Sequence, residues 1–351
     1  MENQNQTPHK RRVRYKGKYP KKFEEKYKEL QPEKYKDTIE HVIQKGNTPA
    51  GMHISIMVKE IIDFLNIQPG EIGFDATLGY GGHTKAMLKC LNGKGHIYAT
   101  DVDPEESDKT KKRLADQGFG EDLLTVKLQN FCTIDEIAKE VGGFDFILAD
   151  LGVSSMQIDN PKRGFSFKVD GPLDLRLNQD AGISAAERLD TITRDELAGM
   201  LYENSDEPYC EELAKAITDE IRKGNRIDTT TKLRQVIEKT LDFLPEKEKK
   251  DTIKKTCQRT FQALRIDVNR EFEVLHEFME KLPDALRPGG RVAILTFHSG
   301  EDKLVKKALK EGYKAGIYSD YAKDVIRPSA QECAQNGRAR STKMRWAVKN
   351  K

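Results

Sequence analysis

Short apolar runs alternate with amphipathic stretches between residues 72 and 150. Each apolar run predicts a buried strand, and each stretch between two runs has apolar residues at helical spacing. The predicted strands are 72–77, 96–101, 124–128 and 144–150, and the predicted helices are 84–91, 104–115 and 134–141. This alternation is typical of an α/β protein with a doubly wound parallel sheet.

The alternation stops after residue 155. Residues 156–255 contain a loop rich in Gly and Pro and then helical stretches such as 211–221 and 231–241. Strand character returns at 291–297, and 341–348 is a candidate for one last strand. We therefore predict a flexible extension over 1–45, a sheet domain in two parts over 46–155 and 256–351, and a helical insert over 156–255.

Composition excludes several classes of protein. No run approaches the roughly 18 apolar residues that a membrane span needs, and the polar N-terminus does not resemble a secretory signal. The five cysteines are scattered, with no C-x-x-C pair, which argues against a disulfide framework and a zinc site. We expect a cytoplasmic protein without a metal centre.

The net charge of +3 is unevenly distributed. Residues 1–36 hold twelve Lys or Arg and five Glu, so they carry 12 − 5 = +7, and tyrosines lie between the basic residues. The last 25 residues are also basic. Such segments bind nucleic acid through phosphates and unpaired bases, but they also occur as solvated tails. The charge alone leaves both interpretations open.

Ligands of doubly wound sheets bind at the carboxyl ends of the strands. The first strand runs into Gly79, Gly81 and Gly82, and Asp101 ends the second strand, 22 residues beyond Gly79. A nicotinamide fingerprint would need a third glycine where Thr84 stands, which disfavours a nucleotide-dependent oxidoreductase. S-adenosylmethionine fits better, with its amino-acid end over the glycines and its ribose on Asp101.

The other strand ends add candidate residues. Phe131 follows the third strand, where it would border an adenine ring or belong to the core. Asp150 ends the fourth strand and is followed by Gly152 and two serines, which puts polar groups where reacting atoms belong. His83 and His298 also follow strands, in a structural or a catalytic role.

Six longer motifs carry a resemblance to a known family. They are DATLGYGGH at 75–83, DLGVSSMQID at 150–159, RGFSF at 163–167, DGPLDLR at 170–176, RTFQALRI at 259–266 and FHSGED at 297–302. With these motifs in this order, the chain resembles the bacterial 16S rRNA (cytosine-N4)-methyltransferase family of the RsmH or MraW type. The resemblance covers nearly everything from His53 to the C-terminus.

The resemblance implies a fold, a cofactor and a target. The fold is a Rossmann-like methyltransferase sheet with an inserted helical domain that helps to hold rRNA. The target is a cytosine of the decoding centre, in 16S rRNA of the small ribosomal subunit. The residues implied to bind S-adenosylmethionine are Gly81, Gly82, His83, Asp101, Phe131, Asp150 and Gln157, to which the strand-end pattern adds Gly79.

Methyl transfer to the cytosine amine requires a group that orients N4. We predict Asp150 in this role, and Asp174 or His298 could face the base instead. Stacking on the flipped cytosine would come from Phe165 or Phe167.

Arginines of the same motifs are candidates for phosphate contacts. They are Arg163, Arg176 and Arg259, each of which could instead form a structural ion pair. For Arg265 the ion pair is favoured.

The chain departs from the family pattern at several positions. Tyr80 stands where the family usually has Arg, Met156 replaces the usual Pro, Ser205 replaces a Gly, and Gly300 replaces a Leu. These differences leave open a paralogue that methylates another RNA cytosine, or a ribosome assembly factor without activity. The oligomeric state, monomer or homodimer, is also left open.

Overall fold

A seven-stranded mixed sheet forms the centre of the computed structural model, which describes residues 55–351. The predicted extension over 1–45 lies outside the described residues. The strand order is β3-β2-β1-β4-β5-β7-β6. The strands are β1 Ile72–Asp75, β2 His96–Asp101, β3 Leu124–Leu128, β4 Phe144–Asp150, β5 Leu286–Thr296, β6 Tyr318–Tyr321 and β7 Lys343–Lys349.

Strands β1 to β5 are parallel, and the chain changes direction across the sheet between β1 and β4. From β1 the chain builds outward through β2 to β3, and then returns to place β4 on the other side of β1. This is the topological switch point at which doubly wound sheets bind ligands. The predicted fold class is confirmed.

Helices cover both faces of the sheet. They are α1 Val58–Leu65, α2 Gly82–Leu91, α3 Pro104–Ala115, α4 Ile134–Val141 and the short α5 Ser155–Asp159. The start of α3 shows how local sequence sets these bounds: Asp103 accepts a hydrogen bond from the amide of Glu106, and Pro104 occupies the first turn.

The region between β4 and β5 is mostly helical and has its own apolar core. Its helices are α6 Ala185–Thr191, α7 Arg194–Ser205, α8 Cys210–Arg222, α9 Thr230–Thr240 and α10 Glu246–Asn269, followed by α11 Glu271–Ala285. One buried cluster extends from Leu173 to Leu264. The predicted boundary between 255 and 256 falls inside α10, whose Cys257 and Phe261 pack into this cluster. The division into domains stays a prediction.

The second part of the sheet differs from the prediction. Strand β5 begins at Leu286 rather than at residue 291, because Leu286 already pairs with Phe144. The register then jumps to Arg291 opposite Phe146, so the Pro288–Gly290 segment forms a bulge rather than a turn before the strand. Strand β6 was not predicted, and β7 runs antiparallel to its neighbours.

After β5 the chain forms α12 Ser299–Lys314, and a short helix, α13 Ala330–Gln335, precedes β7. None of the helices within residues 55–351 combines the length and the apolar character that crossing a membrane requires.

Candidate active site

The loop after β1 leaves its backbone open at Gly79. This residue has a φ of 47°, and among residues 55–351 a Cβ built on it would meet only the Thr77 carbonyl, at 3.8 Å. The two following glycines are closely packed instead: a Cβ on Gly81 would lie 2.7 Å from Thr110, and one on Gly82 would lie 2.0 Å from Ser55. A ligand therefore has space within the described residues to approach Gly79 closely, although its amide and carbonyl are bonded to Asp101 and Thr110, whereas the other two glycines also serve packing.

Asp101 holds this loop against the end of β2. Its Oδ2 accepts a hydrogen bond from the Gly79 amide at 2.8 Å, and its Oδ1 accepts one from the Asp103 amide at 2.9 Å. Burial raises the pKa of Asp101 to about 6. Each carboxylate oxygen keeps a lone pair for a further donor, such as a sugar hydroxyl.

Thr84 has a structural use that explains its place in the motif. Its hydroxyl donates to Asp75 Oδ2 at 2.6 Å, and burial raises the pKa of Asp75. The position that a nicotinamide fingerprint would fill with glycine thus holds a buried carboxyl group in place. This contact fits the prediction that the glycine loop is not a dinucleotide site.

Asp150 and His83 meet at the switch point. Asp150 Oδ2 lies 3.3 Å from His83 Nδ1, and His83 Nε2 lies 2.8 Å from the Ile56 carbonyl. Because both ring nitrogens face acceptor oxygens, the imidazolium form is favoured. Burial alone would lower the pKa of His83, but the hydrogen bond and charge of Asp150 outweigh it and raise that pKa.

The second carboxylate oxygen of Asp150, Oδ1, differs from the first in its hydrogen bonding. Asp150 Oδ1 is buried and has no hydrogen-bond partner within residues 55–351. The backbone around it is fixed, because the Asp150 amide donates to Thr77 Oγ1 at 2.8 Å. A buried carboxylate oxygen without a partner is costly, so a donor from a ligand is the natural complement.

Gln157 is held near the end of β2 by a hydrogen bond to Asp103. Its Oε1 accepts from the Ser154 amide at 2.9 Å in a capping box that starts α5, and its Nε2 donates to Asp103 Oδ2 at 3.0 Å. The side chain is therefore held at the end of β2, next to Asp101. Its predicted contact with the cofactor stays a prediction.

Arg163 is not available for a phosphate contact, which corrects the prediction. Its side chain is 6% exposed, and its Nη1 donates to Asp103 Oδ2 at 2.7 Å. Its Nη2 donates to the carbonyls of Arg176 and Leu177 at 3.2 and 2.6 Å. Through these bonds Arg163 ties the loop after α5 to the end of β2, although its Nε is buried without a partner within residues 55–351.

Asp174 and Arg176 pair with each other, and their assignments to the base and to a phosphate stay predictions. Arg176 Nε and Nη2 donate to the two oxygens of Asp174 at 2.8 and 2.9 Å, and Gln179 donates to the same carboxylate. Burial alone would raise the pKa of Asp174, but these hydrogen bonds lower it. Both groups are used within the loop.

The aromatic residues predicted to stack on the base are half-buried against the core of the helical region. The Phe167 ring packs edge to face on Phe261 with 5.7 Å between centroids, and the Arg163 guanidinium lies 5.9 Å from the Phe165 ring centroid. These contacts are structural, and stacking on a base stays a prediction. Phe131 is half-buried as well, with its ring edge to face on Phe278 at 5.2 Å.

The two remaining arginines differ in exposure. Arg259 is 39% exposed and lies 3.8 Å from Glu207, so it remains a candidate for a phosphate contact. Arg265 binds both oxygens of Glu271 at 2.8 and 2.9 Å. The favoured interpretation of Arg265 as an ion pair is confirmed.

His298 caps the start of α12, and its role facing the base stays a prediction. Its Nδ1 accepts from the Glu301 amide at 3.5 Å, and its Nε2 lies 3.1 Å from Glu301 Oε1 without the alignment of a hydrogen bond. Glu271 completes a group of three potential metal ligands within 4.8 Å of one another. Since Arg265 already occupies both oxygens of Glu271, a cation there would meet a guanidinium.

Tyr80 shows how the chain replaces an arginine of the family motif. The Arg113 guanidinium lies over the Tyr80 ring, 3.6 Å from its centroid, and donates to the Tyr80 carbonyl at 2.7 Å. A guanidinium from α3 therefore lies beside the glycine loop even though the motif itself lacks one.

Two residues that position the site were missed from the sequence. Asp103 binds Arg163 and Gln157, and its signal was present, because Asp-Pro followed by Glu is typical of a helix start. Asn269 donates to the Leu175 carbonyl and accepts from the Leu177 amide, both at 2.7 Å. No local pattern could predict a contact across 92 residues.

Comparison with known proteins matches the sequence of this chain to a family. The family model of the MraW methylase family matches residues 50–350. The chain belongs to the MraW methylase family. It is 88% identical over 341 residues to "Ribosomal RNA small subunit methyltransferase H 1" of Agathobacter rectalis, covering 97% of this chain and 98% of that protein. It is 70% identical to a protein of the same name from Lachnoclostridium phytofermentans, covering 99% and 95%.

Family membership confirms the predicted enzyme class, a methyltransferase, and supports the predicted cofactor, S-adenosylmethionine. A solved S-adenosylmethionine-dependent O-methyltransferase from Thermotoga maritima matches 86% of this chain and 68% of its own, at 11% identity and a TM-score of 0.39. The family match, and not this distant likeness, supports the cofactor.

The pKa of Asp101 predicts how the methylase responds to pH. Ribose hydroxyls bind the ionised carboxylate better, so affinity for S-adenosylmethionine should fall as the pH drops through about 6. We expect a loss of about fourfold between about pH 7.5 and about pH 5.5, measured by calorimetric titration. Asp101→Asn should bind more weakly with a flatter profile. An unchanged pH dependence in that variant would assign the effect to another group.

Proposed function

We propose that the chain methylates N4 of a cytosine in 16S rRNA, using S-adenosylmethionine and acting in the cytoplasm on the small ribosomal subunit. The decoding-centre cytosine of the family is the proposed target. The observation that carries the proposal is the unpartnered, buried Oδ1 of Asp150 at the topological switch point. The names of the relatives in Agathobacter rectalis and Lachnoclostridium phytofermentans support an rRNA substrate.

The residues around the glycine loop fit the cofactor. Asp101 would accept hydrogen bonds from the ribose hydroxyls, and the open backbone at Gly79 would lie beside the amino-acid end. Phe131 would border the adenine ring, and Gln157 would close the pocket from α5. S-adenosylmethionine supplies a methyl group activated by a positively charged sulfur.

Asp150 would orient the acceptor. The lone pair of the cytosine amine is delocalised into the ring, so the site must hold N4 in line with the methyl group. Oδ1 can accept an N4–H hydrogen bond, while the His83 imidazolium neutralises Oδ2 at 3.3 Å. The displacement needs no covalent enzyme intermediate, and the surplus proton of the amine can leave to water.

The first test is methyl transfer from labelled S-adenosylmethionine to small ribosomal subunits that lack cytosine-N4 methylation. Nucleoside analysis should detect N4-methylcytidine, and mapping should place it in the decoding centre. Methylation of another cytosine would contradict the proposed position and indicate a paralogue with a shifted target. Cofactor binding without methylation of any RNA would contradict catalysis and indicate an assembly factor.

A further inference from the structure

Helix α12 presents a continuous basic face to solvent. It has 16 residues and starts at Ser299, immediately after the carboxyl end of β5. Its buried side contributes Val305 and Leu309 to the core of the sheet domain. The exposed side carries five lysines at helical spacing, which we call the lysine face: Lys303, Lys306, Lys307, Lys310 and Lys314.

The lysine face lacks the acidic partners that some exposed lysines of the other described helices have. Three such lysines have an acid four residues away: Lys109 with Glu105, Lys139 with Asp135 and Lys232 with Asp228. None of the five lysines of α12 forms an ion pair or hydrogen bond with the part of the chain that the structure describes. The two acids of its first turn, Glu301 and Asp302, are buried. The one exposed acid of the helix, Glu311, forms no ion pair with these lysines within residues 55–351, so the face carries five lysines against one glutamate.

Helix α12, which carries the lysine face, starts at the edge of the sheet where β2 and β4 end in Asp101 and Asp150, which we call the active edge. Helix α12 begins beside His298, and strand β5, which precedes it, pairs with β4 at Asp150. At about 1.5 Å per residue, the lysines extend over about 16 Å, a length that spans several phosphates of a nucleic acid strand. At the far end Tyr313 is 40% exposed, and its ring centroid lies 4.9 Å from that of Tyr321.

We propose that the lysine face binds the phosphate backbone of the rRNA that flanks the target cytosine. The proposal rests on the proposed rRNA substrate and adds a binding surface outside the helical region between β4 and β5. A row of lysines without ion-pair partners in the described part of the chain is complementary to a phosphate backbone, because binding releases condensed counterions. The face begins at the active edge, so a strand that delivers its base to Asp150 can continue along α12.

The test neutralises three lysines in the full-length protein by Lys303→Gln, Lys306→Gln and Lys310→Gln. The matched control neutralises three lysines that have acidic partners, by Lys109→Gln, Lys139→Gln and Lys232→Gln. Affinity for protein-free 16S rRNA and for intact small subunits is measured over a series of salt concentrations. The slope of log affinity against log salt should fall by about two to three in the test variant, and affinity at low salt should fall at least about tenfold. The control should stay close to the unmodified protein, and both should bind S-adenosylmethionine normally.

Several outcomes would overturn the proposal. One is an equal slope in the test and control variants while the unmodified protein methylates rRNA. Another is loss of affinity for intact subunits but not for protein-free rRNA, which would indicate an acidic ribosomal protein as the partner. If the unmodified protein bound neither rRNA nor subunits, the proposed function would fail first, and the two failures are thereby distinguished.

Discussion

Replacing Asp150 with alanine should lower the methylation rate by about 10²- to 10⁴-fold, which is the range for losing a positioned acid–base or orienting group. The variant loses the only described oxygen that is buried at the switch point without a partner, and it leaves His83 without its counter-charge. The effect should appear in the single-turnover rate, because the carboxylate acts on N4 in the step that transfers the methyl group.

Two further variants separate chemistry from folding. Asp150→Asn keeps the shape but exchanges one acceptor oxygen for a donor, so it should also be impaired. Asp145→Asn is the matched control, because Asp145 lies on the same strand at its opposite end, where it pairs with Arg287 and accepts from the Ile72 amide. Circular dichroism should confirm that all three variants fold. Near-normal methylation by Asp150→Ala would contradict the central assignment of the site.

The first four strands and their helices were predictable from the sequence for a physical reason. Buried parallel strands are apolar throughout, and the helices between them show a regular apolar period, so both kinds of element have local signals. The bounds of β2, β3, β4, α3 and α4 agree with the predicted ranges. By contrast, β6 is a short edge strand with exposed residues, and the bulge in β5 depends on pairing with β4.

The candidate site divides in the same way. Strand-end residues such as Asp101 and Asp150 could be predicted, because parallel strands bring their carboxyl ends to one edge whatever the loops do. The roles of Arg163 and Arg176 could not be predicted. Whether an arginine forms a structural ion pair or stays available for a ligand depends on which acidic side chain lies near it in the fold. For Arg163 that acid is 60 residues away in sequence, and no local pattern encodes the pairing.

Asp103 links the cofactor side of the site to the loops of the helical region. One of its oxygens starts α3, and the other accepts from both Gln157 and Arg163. Arg163 in turn holds the carbonyls of Arg176 and Leu177, and Asn269 holds the same segment from the end of α10. A buried ion pair is therefore the connection between the strand that would bind ribose and the loop that would face RNA.

Breaking this ion pair should destabilise the fold strongly. The side chains of Asp103 and Arg163 are 2% and 6% exposed, so removing either leaves the other charged and buried. We expect Arg163→Met and Asp103→Ala each to lower the free energy of unfolding by about 3–5 kcal/mol, measured by urea denaturation. Lys111→Met breaks the solvent-exposed pair with Glu121 and should leave the denaturation midpoint unchanged.

The double variant decides whether the loss comes from the unpaired charge. Arg163→Met combined with Asp103→Ala removes both charges, so it should cost clearly less than the sum of the two single losses. Fully additive losses would mean that the two side chains stabilise separate segments, Asp103 through α3 and Arg163 through the carbonyls it holds. Sub-additive losses, together with weaker cofactor binding in Arg163→Met, would support the pair as the connection between cofactor and substrate loops.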